Sequence, residues 1–494
     1  MESTALHRIA EAPLAAAAFV ELASWMLGPE ATSCSLHDVE ATTNDRIREL
    51  ARLLLQEHVD ARGPGDLGPA LDRDTSDGTL SLSHRRLRTR QYLSLFGSIT
   101  ITRQTYGQRG LSSLAPLDSE LELPARRYSY PVQQRLTTSV ARGPFAEAVA
   151  SLQESTGQSV GAANVDDLVM DVAQDFDTFY AQHAGATPPP EATILVAAAD
   201  GKGVVIRPAK GERLPKRARG AKGPPPGSKR EARVAAVYAI APFVRTPADI
   251  LGEIGPKARR GPKPVGPPRP RPQQKRVWAS LEKSKDEVFA EVAEEMRKRD
   301  PEHRLRWVCV TDGDPALQKR ALSVLGAEGE MTLVLDIFHV TEYLWDAGRA
   351  FYPEGAPEVE AWVGYYLEKL LFGEASEAAR GMRQSATKQG LSGTKREAVD
   401  AAANYILRNR EYMKYDEYLA AGLPIGSGVA EGTCRHLVKD RMERTGMRWT
   451  MACAEAVLKM RALEINGDSD AYWEFHIGRE QERLHSARSW RPAA

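Results

Sequence analysis

The sequence predicts a multidomain α/β protein in which one α/β domain is split by a helical insertion and preceded by a mostly helical region containing a β-hairpin. Three observations predict it. Short apolar runs at 194–199, 204–207, 234–240, 307–311 and 331–335 are rich in Ala, Val, Ile and Leu, the pattern of strands buried on both faces. Amphipathic helical spacing at 277–299 and 315–325 alternates with the later runs, giving strand–helix–strand order. Helical spacing without strand signals fills 352–421 and dominates the first 187 residues. The expected domains are 1–83, 84–128, 129–187, 188–351, 352–421 and 422–494, since 494 residues exceed what one core serves.

In chain order, residues 1–62 read as helices. The stretch 14–27 is rich in alanine, and 43–59 places Ile47, Leu50, Leu53, Leu54 and Val59 at helical spacing. These helices are the candidate dimerisation surface. A Gly-, Pro- and Asp-containing loop is expected over 63–83. The basic strip 84–91 enters a hairpin whose turn is expected at Gly97-Ser98. Its arginines fit a solvated strand edge and a phosphate-facing edge equally well. Helices are then expected at 131–142, 144–153 and 164–180, a helix-turn-helix-like arrangement that makes 129–187 the expected DNA-binding domain of the N-terminal region. The last of these is acidic, which suits packing better than contact with phosphates.

Lysine plus arginine and aspartate plus glutamate both number 66, so global charge excludes no partner. Local charge is informative. Residues 207–276 hold nineteen basic and four acidic side chains, an excess of fifteen, in proline-rich insertions beside a strand-end carboxylate. Such a segment would hold a polyanion by releasing its counterions, so nucleic acid is the expected partner, with Lys202, Lys216, Arg217, Arg219 and Lys222 as contacts. Four scattered cysteines without a CxxC pair argue against a zinc ribbon or disulfide scaffold and fit a reducing cytoplasm. The apolar run at 13–27 is interrupted by Glu21, so neither a signal peptide nor a membrane span is expected.

Carboxylates punctuate the strands. Asp200 follows the first run, Asp312 the run at 307–311 and Asp336 the run at 331–335. In open α/β sheets, ligands bind at the carboxyl ends of strands. Asp312 also fits a plain turn in Asp-Gly-Asp, capping the next helix. Three strands followed by alternating helices and strands is a ribonuclease-H-like pattern, in which the first and fourth strands are neighbours. Asp200 and Asp312 would then converge and repel unless a hard cation such as Mg²⁺ lay between them. The segment 352–421 reads as four helices. After it, Gly426-Ser427-Gly428 marks a helix start with Ser427 a candidate cap, and Glu431 falls in the first turn ahead of Arg435, Lys439 and Arg441.

These strings resemble DDE transposases of bacterial insertion sequences, specifically the ISKra type within the Mutator-like superfamily. The resemblance covers about 93–488 and rests on ADGKGVV, VAAVYAIAPFVRTPADI, KRVWASLEK, VTDGD, LVLDIFHVTEYLW, NREYMKYDEYLAAGLPIGSGVAEGTCRHLVKDRM and NGDSDAYWEFHI. It implies that Asp200, Asp312 and Glu431 bind two Mg²⁺ ions, with Mn²⁺ substituting, and that the Asp-x-x-His motif falls on Asp336 and His339. It further implies cleavage of element ends, joining of a 3′-hydroxyl to double-stranded target DNA, a homodimer and a cytoplasmic, nucleoid-associated location. Asp314 is the competitor to Asp312. Relatives carry cysteine pairs after the TRQTY-like strand, which TYGQRGLSS lacks. A catalytically silent DNA-binding regulator and another ribonuclease-H-like nuclease are the alternatives.

Overall fold

The computed structural model describes residues 12–75, 78–111, 113–161, 164–183, 185–208, 228–256, 268–444, 447–485 and 490–493. The chain forms two compact units, Met1–Phe179 with Gly467–Ala494, and Tyr180–Asn466. The final segment therefore belongs with the N-terminal residues and not, as expected from the sequence, with the α/β domain.

In the first unit, helices Pro13–Met26 and Leu36–Asp60 pack together, the second started by Ser35, whose hydroxyl accepts from the Asp38 amide. The expected loop at 63–83 contains a hairpin of β1 (Leu71–Thr75) and β2 (Gly78–Leu82). The second hairpin joins β3 (His84–Ser94) to β4 (Gly97–Gly107), and its turn is Leu95-Phe96, not Gly97-Ser98. Gly97 instead opens β4 at φ 145°, where a Cβ would meet the Arg52 side chain at 2.6 Å.

Helices Tyr130–Arg142 and Phe145–Thr156 follow. The single helix expected over 164–180 is two, Val165–Ala173 and Phe176–Gln182, interrupted at Gln174-Asp175. The interruption has a cause. Asp175 is buried and accepts from His476 Nδ1 at 2.7 Å and from both Arg483 Nη atoms at 2.7 and 2.9 Å. Burial pushes its carboxyl up, but the bonds and charges of Arg483 and His476 outweigh that and hold it below its ordinary value. His476 and Arg483 lie on helix Ser469–His485, and strand β10 (Trp490–Pro492) pairs antiparallel with β1.

The second unit is built on one sheet of β5 (Ile194–Val205), β6 (Lys229–Ile240), β7 (Gln273–Ser280), β8 (Arg306–Thr311) and β9 (Met331–Leu335), in the order β7-β6-β5-β8-β9. The first three pair antiparallel; β8 and β9 continue parallel to β5. The first and fourth strands of this sheet are neighbours. Two expectations need correction. The runs at 194–199 and 204–207 are one strand, because Gly201 and Gly203 pair in register with Arg233 and Glu231 instead of turning. A Cβ at Gly201 would lie 2.5 Å from Glu231 Oε1, so glycine here accommodates a cross-strand neighbour. Residues 277–280, expected as helix, end β7; helix Lys285–Arg299 starts only at the reciprocal Ser284/Glu287 capping box.

Ile194, Val196, Tyr238, Val308, Val310 and Val334 share one apolar core with helix Ile337–Phe351 and with the helices of 357–420. Those helices, expected as four from the sequence, are Pro357–Leu371, Ala375–Lys388, Gly393–Asn409 and Tyr415–Ala420. Tyr366 and Leu370 are buried inside them, so this aromatic segment is core, while Tyr365 is exposed. No helix among the described residues is long and apolar enough to cross a membrane.

Breaking a buried charge pair by removing one partner costs about 3–5 kcal/mol, because the other charge stays desolvated. Asp175→Ala leaves buried His476 without its acceptor while Arg483, about one-third exposed, regains water, so the first unit should lose roughly 1–3 kcal/mol in denaturant unfolding. A loss under about 0.5 kcal/mol, the level of ordinary surface changes, would show that the cluster does not hold the unit together.

Candidate active site

β5 pairs with β8 only as far as Ala198↔Val310, and then runs on with β6 alone. Asp200 is the second residue past that point and Asp312 the second past Val310, so the two carboxylates stand at the mouth left where the neighbouring strands part. A cavity of about 80 Å³ opens there, lined by Asp200, Glu231, Arg233, Lys285, Asp312 and Asp314 among others. Burial pushes the Asp312 carboxyl up, the Asp314 amide and His339 oppose this, and the charges of Asp200 and Asp314 add to the rise.

The Asp-Gly-Asp turn divides its work. Asp312 Oδ1 accepts from the Asp314 amide at 2.9 Å, while Asp314 caps helix Pro315–Arg320 through the Ala316 amide at 2.7 Å and pairs with Lys285 Nζ at 2.8 Å. The Lys285 hydrogen bond holds the Asp314 carboxyl below its ordinary value. Asp314, not Asp312, is thus the capping residue and is already neutralised. Gly313 between them has φ +85°, and a Cβ there would meet Tyr405 Oη at 2.8 Å and Leu335 at 2.9 Å. The helical insertion clamps the turn: Tyr405 donates its hydroxyl to the Asp312 carbonyl at 2.7 Å and Arg408 donates to that of Gly313 at 3.2 Å.

Glu431 is exposed on the short helix Gly428–Thr433, which continues as a π-helical turn, Cys434–Lys439. One turn after Glu431, Cys434 points its thiol at Asp200 Oδ2, 3.1 Å away. Burial, then the charge of Asp200, pushes that thiol far up and keeps it neutral. Helix Gly428–Thr433 is thereby tied to β5, and a π turn frequently marks a functional segment. Among the described residues, Asp200, Asp312 and Glu431 make no ion pair, and no three His, Cys, Asp or Glu stand close enough together to enclose a metal ion. The two aspartates are brought together; Glu431 is not drawn into one cluster with them.

Ser427 does not cap the Gly428 helix as expected. Its hydroxyl donates to Asp336 Oδ2, which also accepts from His339 Nδ1 at 3.2 Å, while Oδ1 accepts from the Phe338 amide at 2.9 Å. Asp336 therefore caps its own helix and is 1% exposed, far from free to take a ligand. Gly426 permits the close approach, since a Cβ there would lie 2.7 Å from the Phe338 ring.

Of the expected DNA contacts, Arg435 and Lys439 are exposed and Lys202 is half-buried beyond Asp200. Arg441 is fully buried, with Nη1 3.1 Å from Met447 Sδ and its guanidinium 4.7 Å from the Trp449 ring, so it is not presented to a phosphate. Its position six residues after Arg435, roughly 120° away around a regular helix, already takes it off the face that carries Arg435 and Lys439. Lys216, Arg217, Arg219 and Lys222 lie outside the described residues. Sequence reasoning missed Cys434, Ser427 as a partner of Asp336, Lys285 and Tyr405; only the Glu431-x-x-Cys434 spacing offered a local signal.

His339 carries a pH signature. Its hydrogen bond to Asp336, against the opposing effect of burial and with the charges of Asp336 and Asp312, raises it from 6.5 to about 9. The raised value means that the stabilisation it contributes is fully present below about pH 6.5 and lost as pH rises through about 9. The stability difference between wild type and His339→Gln should shrink over that window, and NMR titration of the ring should give a midpoint well above neutrality. A midpoint at or below 6.5 would show that the Asp336 bond is not made in solution.

No known family model matches the chain. Over 394 residues it is 22% identical to the UPF0236 protein in the vanSb 3′ region of Streptococcus gallolyticus, the match covering 78% of this chain and 75% of that protein. Among solved structures, the Drosophila P element transposase strand transfer complex aligns over 72% of this chain and 83% of that chain, at 9% identity and a TM-score of 0.24. A superposition that loose carries no argument about fold or activity.

Proposed function

We propose that this protein is a transposase of a bacterial insertion sequence, an endonuclease and strand-transferase acting on double-stranded DNA from a ribonuclease-H-like domain. The observation that supports the reading is the pair Asp200 and Asp312 at the parting of two neighbouring strands, without a basic side chain among the described residues ion-paired to either. Like charges in a partly buried cleft cost free energy until a cation or proton joins them. The donors are carboxylate oxygens, which fit hard Mg²⁺ (or Mn²⁺) and not a thiolate-loving metal. In this reading Asp200 and Asp312 hold the metal with Glu431 as third acid. When bound, such ions polarise a phosphoryl oxygen and ease both the attack and the departure of oxygen in an in-line displacement.

The chain's own residues have separate tasks. Asp312 is oriented by the Asp314 amide and by the Tyr405 clamp on its carbonyl. Asp200 is oriented by the Gly201 amide at 2.6 Å and the Cys434 thiol, a weak donor that leaves the carboxylate available. His339, protonated at neutral pH, holds positive charge within reach of Asp312 and of a phosphate bound there. Exposed Arg435 and Lys439, with Lys202, neutralise the DNA backbone beside the acids. Lys216, Arg217, Arg219 and Lys222 serve the same end in this reading.

Two ends must be joined to one target, which favours closed two-fold symmetry and thus a homodimer. Helices of the first unit expose Phe19, Val20, Leu27 and Leu36, an apolar surface suited to self-association. Light scattering with and without duplex DNA should find a dimer at least in the bound state; a monomer in both would overturn this part.

The acids supply the main test. Asp200→Ala, Asp312→Ala and Glu431→Ala should each take Mg²⁺-dependent cleavage of the flanking element ends below detection while leaving DNA affinity within about threefold, under 1 kcal/mol. Asp314→Ala, which loses a cap and the Lys285 pair, should keep measurable activity. Tight DNA binding by the wild-type chain without any cleavage would make it a silent regulator instead.

A further inference from the structure

The β3–β4 ribbon carries an arginine face that the proposed active site does not use. From His84 to Gly107 there are five arginines and no acid. The strands pair as an isolated two-stranded sheet, eleven residues each. Register puts Arg86 and Arg88 on one face, opposite Thr105 and Arg103. The ribbon is lopsided. The outer edge of β4 is covered, its Gln104 amide donating to the Pro64 carbonyl at 2.7 Å and Tyr106 pairing with Leu114. On β3, every residue from His84 to Thr89 is exposed.

The arginines are not equivalent. Arg85 pairs with Asp66, Arg90 donates to the carbonyls of Pro124, Ala125 and Arg126, and Arg103 pairs with Asp118. Arg86 and Arg88 have no acidic partner among the described residues. Arg88 stands directly across from Arg103, whose charge Asp118 already takes up, so the guanidinium of Arg88 is left to solvent. Charges on an edge strand also guard against strand-to-strand aggregation. That role is served by either sign, and does not explain why the two arginines left without an acid, Arg86 and Arg88, share one face of a ribbon that holds no acid.

We propose that the exposed strand β3 of the first unit, through Arg86 and Arg88, is a second DNA-contacting surface that grips the phosphate backbone of double-stranded DNA. The inference rests on the reading of this protein as a DNA-processing enzyme. Guanidinium groups bind phosphate bidentately, and a two-stranded ribbon has a width that the major groove admits. Contacts of this kind position DNA without reading its sequence.

The test is the salt dependence of binding of the full-length protein to a random-sequence duplex. Each phosphate contact contributes roughly 0.9 to the slope of log affinity against log salt, so the Arg86→Ala/Arg88→Ala double variant should lower it by about 1.8. The Arg86→Lys/Arg88→Lys variant should keep it. If the alanine double variant melts early, the single Arg86→Ala variant, expected to lose about 0.9, carries the test. An unchanged slope in a variant that instead self-associates would overturn the proposal in favour of edge protection. Loss confined to single-stranded RNA would overturn the choice of partner. Both results leave the enzymatic reading standing, whereas a wild-type chain that binds no duplex removes that reading and this inference together.

Discussion

A buried carboxylate, that of Asp336, is the constraint on which the candidate site depends. A buried polar group is tolerated only when its hydrogen bonds are made, and this one is satisfied from three directions: its own helix at Phe338, the ring of His339 and the hydroxyl of Ser427. These three belong to two stretches about ninety residues apart. Fixing Ser427 fixes the start of the helix that carries Glu431, and the Ile337 amide reinforces the join by donating to the Ile425 carbonyl at 3.0 Å. Asp336 thus brings the segment after the insertion back to the ends of the parallel strands.

The insertion is a brace as well as an interruption. Tyr405 stacks on Tyr343 at a centroid distance of 4.0 Å and places its hydroxyl on the Asp312 carbonyl. The left-handed turn at Gly313 leaves no room for a side chain between Tyr405 and Leu335. The backbone beside Asp312 is therefore held from both sides by packed groups, which is how a site keeps its side chains oriented before a substrate arrives. On the Asp200 side the restraint is softer, the neighbouring Gly201 amide and a thiol hydrogen bond from the π turn.

Most of the strands were legible because buried strands are written as unbroken apolar runs, and the carboxylates because those runs stop on them. The turn that Asp200-Gly201-Lys202-Gly203 resembles was misread, since only the partner strand reveals that its glycines make room for Glu231 and Lys229. Strand β7 was hidden because half of it is polar and only Val277–Ser280 is buried. The contacts that organise the site were not legible at all. Cys434 meets Asp200, Ser427 meets Asp336 and Lys285 meets Asp314 across 234, 91 and 29 residues. No local periodicity encodes such meetings; the fold creates them. Arg441 was readable from its spacing, and its burial follows from the face on which the helical period puts it.

The return of the chain's last segment to the first unit has a consequence for biosynthesis. Strand β10 completes the sheet begun by β1, and helix Ser469–His485 supplies His476 and Arg483 to the charge of Asp175. During translation, the sheet of the second unit and the helices packed on it have all been made before those partners exist. The unit begun first is finished last. Until the ribosome reaches it, Asp175 lacks its hydrogen-bond donors and β1 lacks one neighbour, so a chain stalled or clipped after Asn466 carries the whole α/β sheet but an unfinished N-terminal unit.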